Sequence, residues 1–295
     1  MKIAAAAYPL DFLDGWDAYE AKMTKWVAEA AGQGANLLVF PEYGAMELAS
    51  LAGAEAAKDL EASLHAVAER MPRANEVLER LAREHGVHIL APSGPVLDGV
   101  HDRPVNRAYF FSPDGRRGHQ DKQMMTRFER EQWDVVGGGP LTIFDTKLGK
   151  IGVLICYDSE FPLLGRRLAE AGAEVMLCPS ATEALAGYSR VRIGAMARAL
   201  ESQCVTVHSP TVGHAPWCPA VDENTGAAGV YGPPDKGFPA TGILAQGELN
   251  VPGWVYATVS LEAIRAVRAD GGVLNYRDWQ EQADRPTEIT ETRLG

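Results

Sequence analysis

The chain has 295 residues, enough for one large or two ordinary domains, and its 46% hydrophobic, 23% charged composition is that of a globular protein with an ample core. With 28 Lys and Arg against 39 Asp and Glu the formal net charge is −11, so no basic face offers itself to nucleic acid. No run approaches the roughly 20 apolar residues of a membrane span. The apolar start is broken by Pro9 and Asp11, so it reads as a first buried strand rather than an export signal.

Strand-like and helical runs alternate from there. KIAAAAY, residues 2–8, reads as a strand. Residues 15–34 read as a helix, because Trp16, Tyr19, Met23, Trp26, Val27 and Ala30 recur at spacings of three and four and glycines close the segment. NLLVF is a short buried strand. Helical stretches over about 53–70 and 73–85 follow, the second opened by Pro72. VHILAP and NRAYFF read as strands, and SPDG as a turn. After a loop rich in charge come LTIFD and KIGVLI, joined as a hairpin by TKLG, then a helix over 161–171 and the strand EVMLCP. YSRVRIGAMARALES is a long helix with a face of small residues, Gly194, Ala195, Ala197 and Ala199, and CVTVHSP is the strand after it. Glycine and proline dominate 210–253, which predicts loops with one or two short strands. WVYATVS and LEAIRAVRA close a single domain over residues 1–270, and 271–295 reads as a C-terminal tail. The alternation argues for α/β layers, and the hairpins make the sheet mixed rather than purely parallel.

Layered α/β folds deliver functional groups at the carboxyl ends of their strands. NLLVFPEYG ends in Glu42, KIGVLICYD in Cys156, and EVMLCPS in Cys178 and Ser180; Lys122 lies between the first two, in DKQMMTRFE. Singly, each has a bland reading: a solvated loop acid, a surface lysine, a buried inert thiol. Together they make a chemistry. A thiol is mostly protonated at neutral pH and needs a base or cation to become a nucleophile. A carboxylate accepts that proton once burial raises its pKa, and an ammonium holds a negatively charged tetrahedral oxygen. Cys, Glu and Lys therefore suffice for acyl transfer without histidine. The four cysteines, Cys156, Cys178, Cys204 and Cys218, form no C-x-x-C pair or zinc spacing, and His85 and His88 lack a third ligand, so no metal is expected. With no export signal the thiols are expected to be reduced, in a cytoplasm. VVGGGP, residues 135–140, lacks the spacing and setting of a dinucleotide loop, and no cofactor is expected.

FPEYG, DKQMMTRFE and LICYDSEFP, in that order and at those intervals, resemble the Glu, Lys and Cys motifs of the nitrilase superfamily, the carbon–nitrogen hydrolases. PSATEALAGYSRVRIGAMARALE is similar to the segment after that family's nucleophile strand. The resemblance implies an αββα sandwich over residues 1 to about 270, with Cys156 as nucleophile, Glu42 as general base and Lys122 as the cation that holds the oxyanion. It also implies a second glutamate by the lysine loop. Both Glu129 and Glu131 qualify; Glu131 is preferred, because FERE followed by an aromatic and a glycine turn suits the family's spacing. The triple glycine at 137–139 departs from the Pro-Gly of many relatives. Tyr157 is a further candidate for substrate binding or support of the site.

The activity so implied is hydrolysis of a small amide through a cysteine thioester, without cofactor, in a homo-oligomer built on the helix after the nucleophile. Nitriles and N-carbamoyl compounds are the alternatives. The nitrile branch typically follows its cysteine with Trp-Glu, and here Tyr157-Asp158 follows, which favours an amide. Pocket walls are expected from Tyr43, Tyr157, residues 180–190 and the 210–240 loops, with Arg190 or Arg192 either anchoring a substrate carboxylate or pairing on the surface. Two further readings remain beside this one. The first is a catalytically silent scaffold on the same fold, against which the intact motifs speak. The second is a Cys–His protease using Cys156 with His208 or His214, which has no signature of its own.

Overall fold

A computed structural model describes all 295 residues. In chain order the first half contains β1 (Lys2–Pro9), α1 (Trp16–Gly32), β2 (Leu37–Val39), α2 (Ala54–Lys58), α3 (Leu60–His85), β3 (His88–Leu90), β4 (Gly94–Val96), β5 (Val105–Phe111) and β6 (Arg117–Asp121). The second contains β7 (Phe144–Thr146), β8 (Gly149–Val153), α4 (Pro162–Glu170), β9 (Val175–Ser180), α5 (Leu185–Ser202) and β10 (Val205–His214). It ends with β11 (Glu223–Asn224), β12 (Gly229–Tyr231), β13 (Ile243–Gln246), β14 (Gly253–Thr258), α6 (Leu261–Asp270) and α7 (Asn275–Asp278).

The strands follow the order β4-β5-β3-β2-β1-β10-β9-β8-β7. β1 has β14 antiparallel on one side and β2 parallel on the other. β10 runs beside β9 from Val205 to Pro210, and only then meets β1, at Tyr8–Thr211 and Pro9–Val212. The sheet is thus folded at that corner into two leaves. Alternation along β1 assigns the layers, since successive strand residues face opposite sides. Ile3, Ala5 and Ala7 share an apolar cluster with Ile151 and Val153 of β8 and Val205 and Val207 of β10, so the two leaves pack on each other. Ala4, Ala6 and Tyr8 face outward onto Met23 and Val27 of α1 and Val67 and Leu78 of α3. Beyond the second leaf, Leu154, Met176 and Cys178 lie against Leu168 of α4 and Ala195 and Ala199 of α5. Helix, leaf, leaf, helix is the αββα sandwich. A run of four alanines makes a poor strand by propensity; here it is central and closed on both faces, and burial decides.

Several elements differ from their sequence reading. α3 is one helix through Pro72 rather than two. An interior proline costs about 3 kcal/mol, but Leu64, Val67, Met71, Ala74, Val77, Leu78 and Leu81 form one buried face on both sides of it, which holds the halves in register. The Asp59 carboxylate accepts from the Ala62 N–H at one end, and Gly86, with φ 66°, closes the other. β6 lies in what reads as a charged loop; RGHQD has no apolar alternation, and its pairing with β5 is what makes it a strand. In α5, Gly194, Ala195 and Ala199 are buried against the protein's own interior, while Ile193 and Leu200 face outward. The segment expected as tail from residue 271 packs on the domain as far as Trp279, and an exposed turn continues to Asp284. Arg166 donates to the Tyr276 carbonyl at 3.0 Å and stacks over the rings of Tyr276 and Trp279. Residues 285–295 are exposed and carry no regular structure. No helix is long and apolar enough to cross a membrane.

Candidate active site

Four chain segments leaving strands converge at one end of the sandwich. After β2 the chain passes Pro41 and presents Glu42; Tyr43 follows with φ 51°. β6 ends at Asp121, and the next residue, Lys122, still donates its backbone N–H to Asn106 at 2.9 Å. β8 continues through Ile155 into Cys156, which has φ 50° and opens a 3₁₀ turn over Cys156–Glu160. A non-glycine residue in the left-handed region costs about 1 to 3 kcal/mol and persists only where its surroundings hold it. Asp158 holds it. Its carboxylate accepts N–H bonds from Ile155 (3.1 Å) on one side and from Gln123 (3.1 Å) and Met124 (2.8 Å) on the other, tying the cysteine turn to the residues after Lys122. Burial pushes this carboxyl up to about 7, against the pull of Lys122 and the three N–H donors. The fourth segment leaves β9 at Ser180 and presents Ala181.

Lys122 is buried with a carboxylate on either side. Its Nζ donates to Glu42 Oε1 at 2.7 Å and to Glu129 Oε1 and Oε2 at 2.8 and 2.7 Å. Glu42 Oε1 also accepts from Asn106 Nδ2 at 3.0 Å, and Oε2 from the Ala181 N–H at 2.9 Å. Glu129 accepts from Tyr43 Oη at 2.7 Å and from the N–H and hydroxyl of Thr126 at 2.8 and 2.9 Å. The Cys156 thiol faces the Ala181 carbonyl at 3.8 Å.

The two acids separate in character. Burial raises Glu42 above the ordinary carboxylate range, Lys122 opposing it, whereas the same burial at Glu129 is outweighed by Lys122 and by its hydrogen bonds, which bring it below. Of the two, Glu42 is thus the more readily protonated and Glu129 the more firmly ionised partner of Lys122. Burial lowers a lysine, yet the flanking carboxylates hold Lys122 above its usual value, so it stays charged. Burial and then the Glu42 charge push the Cys156 thiol up, so at rest it keeps its proton and needs a base to lose it.

The glutamate that lies beside Lys122 is Glu129, whereas the sequence reading preferred Glu131. Glu131 is exposed and pairs with Arg127 at 2.9 Å. The reason is helical phase. Residues 129–133 form one wide turn, and Trp133, buried and donating its Nε1–H to the Leu60 carbonyl at 3.1 Å, fixes which side faces in. A residue four before the tryptophan shares its face and a residue two before does not. That spacing marks Glu129 once the tryptophan is known to point inward. Asn106, Thr126, Asp158 and the Ala181 peptide escaped sequence reading, because their roles are hydrogen bonds across segments. Tyr43, expected as pocket wall, also braces Glu129.

A cleft of about 620 Å³ opens over these groups, bounded by Tyr43, Phe128, Trp133, Tyr157, the start of α5 and residues 219–224. Tyr157 packs edge-on against Phe161 at 4.8 Å. Arg190 borders the cleft and faces Glu160 at 3.5 Å; Arg192 turns away to Gln246 at 3.0 Å. His208 is paired with Ser180 at 2.7 Å rather than with Cys156, and His214 is exposed at the end of β10, so neither supplies a Cys–His pair. No three His, Cys, Asp or Glu side chains are grouped to hold a metal ion.

A folded-over two-leaf sheet between helices, with a thiol, a lysine and two glutamates gathered at its strand ends, is the layout of the carbon–nitrogen hydrolases. The chain matches that family's profile, "Carbon-nitrogen hydrolase", over residues 2–269, and it belongs to the family. It is similar to the probable hydrolase YhcX of Bacillus subtilis, at 31% identity over 278 residues, covering 94% of this chain and 53% of that protein. It is 33% identical over 178 residues to nitrilase 3 of Arabidopsis thaliana, covering 56% of this chain and 49% of the relative. With the deaminated glutathione amidase of Yersinia enterocolitica it shares 32% over 154 residues, 48% of this chain and 53% of that one. The chain spans about half the length of these curated relatives. Among solved structures, Nit3 of Saccharomyces cerevisiae superposes with a TM-score of 0.70 at 22% identity, covering 91% of this chain and 93% of that one. A double mutant of the amidase from Nesterenkonia sp. AN1 in complex with acrylamide gives 0.68 at 22%, covering 95% and 97%. Both are likenesses of fold.

Proposed function

We propose that the chain hydrolyses the carbon–nitrogen bond of a small amide to an acid and ammonia or an amine, through a thioester on Cys156. The observation that carries this is the meeting of Cys156, Glu42 and Lys122 at the floor of one cleft, each held by buried hydrogen bonds. The thiol proton passes to Glu42 as Sγ attacks the carbonyl carbon. The oxyanion so formed lies against the Lys122 ammonium, already charged and oriented by Glu129, so little reorganisation is needed when the charge develops. Collapse expels the nitrogen, which takes the proton from Glu42, and leaves the thioester. Glu42 then deprotonates water for the second attack; the second tetrahedral species expels the thiolate, which recovers a proton.

The curated relatives include both nitrilases and an amidase, so the preference for an amide rests on the chemistry of the site. The Nesterenkonia amidase has been trapped, as a mutant, with the acetamide moiety of fluoroacetamide added at its active-site cysteine. A nitrile would give a thioimidate that must take on water before nitrogen leaves, whereas an amide gives at once the oxyanion that Lys122 suits. A panel of small amides, N-carbamoyl compounds and nitriles, scored by ammonia release, tests this. At least one amide should turn over, and Cys156→Ala should abolish it while melting like wild type. Turnover of nitriles with no activity on any matched amide, or a tenth of the activity surviving in Cys156→Ala, would overturn the reading. Self-association belongs to the same proposal: Ile193 and Leu200 on α5 and Leu163 on α4 present exposed apolar side chains, which supports contact with a second copy through this face.

A further inference from the structure

We infer that His208 is a positioning residue for the hydrolysis proposed above: through Ser180 it holds Ala181, the residue whose N–H faces the base and whose C=O faces the nucleophile. The inference rests on that reading of Glu42 and Cys156. Its starting point is a register. His208 on β10 stands directly opposite Cys178 on β9, and Ser180 lies two residues further on, on the same face and within diagonal reach. Both side chains are fully buried, and His208 Nε2 and Ser180 Oγ are 2.7 Å apart.

That bond sits where the strand ladder fails. The last register pair of β9 and β10 is Ser180–Pro210, after which β10 leaves β9 to pair with β1 at Thr211 and Val212. The backbone therefore cannot carry the pairing on to Ala181, and the side-chain bond secures the strand end in its place. On the far side, Thr182 Oγ1 donates to the Thr225 carbonyl at 2.8 Å, and the Thr225 N–H to the Thr182 carbonyl at 2.7 Å. Ala181, between these two clamps, gives its N–H to Glu42 Oε2 at 2.9 Å and its carbonyl to Cys156 Sγ at 3.8 Å. One residue, through the two peptide groups that flank it, thus sets where the base points and where the thiol proton points.

His208 is itself held still. The Tyr188 ring of α5 stacks on it at 5.6 Å and 15°, with Arg192 from the same helix, Tyr231 from β12, and Cys178 and Ser180 from β9 as the other polar groups around it. Burial takes its pKa down to about 3, so it stays neutral and acts as a fixed hydrogen-bonding group rather than a proton carrier. Its Nδ1 has no partner. Phenylalanine at 208 with alanine at 180 would fill this core without leaving a buried polar atom unpaired, so the histidine–serine pair is poorly explained by packing alone.

The test compares Ser180→Ala, His208→Phe and His208→Gln, the last of which can still reach Ser180. Each is measured by kcat, KM, melting temperature and the pH dependence of Cys156 alkylation by iodoacetamide, which needs no substrate. Ser180→Ala and His208→Phe should lower kcat about 10- to 100-fold with KM little changed, the cost of misplacing reacting groups by a fraction of an ångström. They should also move the acid limb of the alkylation profile to higher pH, because Glu42 loses the N–H that favours its charged form. His208→Gln should recover part of both, and Ser180→Ala combined with His208→Phe should be no worse than the worse single change, since the two act through one bond. A folded Ser180→Ala with wild-type kcat and alkylation profile would overturn the inference, even were the His208 variants not to fold. Losses accompanied by no shift in the profile, or no recovery in His208→Gln, would reduce the pair to a structural role and equally overturn it. Failure of the wild-type thiol to alkylate at all would instead strike the hydrolase reading beneath it, and the inference with it.

Discussion

Replacing Lys122 with methionine removes a charge and little volume, and leaves Glu42 and Glu129 facing each other. Each carboxylate touches Nζ at 2.7 Å, and both are almost wholly buried. Without the ammonium their oxygens stand about 5 Å apart, where two unit charges at an effective dielectric of about 20 repel by roughly 3 kcal/mol. This agrees with the roughly 3 to 5 kcal/mol lost when one partner of a buried ion pair is removed. The acids escape by taking up a proton, so in the variant their folded pKa values lie above the unfolded value of about 4.3. A group so raised leaves stability intact below the unfolded pKa and costs stability as pH climbs toward the folded one. Relative to wild type, Lys122→Met should therefore be little destabilised near about pH 4 and progressively more so above it. Urea unfolding of both proteins at about pH 5 and about pH 8 measures this, and the gap in unfolding free energy should widen by roughly 2 kcal/mol at the higher pH, about 1 kcal/mol having already been lost by about pH 5. An equal gap at both would refute the reasoning, since it would mean that Lys122 does not keep the two acids apart electrostatically. Turnover should be lost at either pH.

Asp158→Ala leaves one buried and two partly buried N–H groups without an acceptor. At about 1 to 3 kcal/mol each the melting temperature should fall by several degrees, as read by calorimetry, and kcat should fall with it as the Cys156 turn parts from the lysine loop. Gly194→Ala puts a Cβ 2.7 Å from the Ser159 carbonyl oxygen. Overpacking of that kind costs about 1 to 3 kcal/mol, and because the pressure falls on the nucleophile's turn, kcat should drop as well, whereas Ala197→Ser should be nearly neutral in both assays. Light scattering should find a dimer at micromolar concentration, and Ile193→Glu with Leu200→Glu should return a monomer that keeps its fold; a wild-type monomer would remove the proposed contact.

The sequence by itself determined the elements whose burial repeats along the chain. The three-and-four spacing of α1 and the apolar runs of β8, β9 and β10 are local patterns, and the layered fold follows from their alternation. It also singled out Glu42, Lys122 and Cys156, because each lies in a motif with its own neighbours. Where local pattern and tertiary need disagree, it could not decide. β6 has no apolar alternation and exists because β5 pairs with it; α3 runs through Pro72 because one face is buried along its whole length. Choosing Glu129 over Glu131 required knowing that Trp133 points inward. The small residues of α5 could face a partner or the interior, and only packing turned Gly194 onto the Ser159 carbonyl. The Ala181 peptide, and His208 behind it, carry no signature at all: their significance is that β9, β10 and the ends of two other strands meet at one point. Periodicity reports which side of an element is buried, whereas a site depends on which elements meet, and that is decided by contacts between residues far apart in the chain.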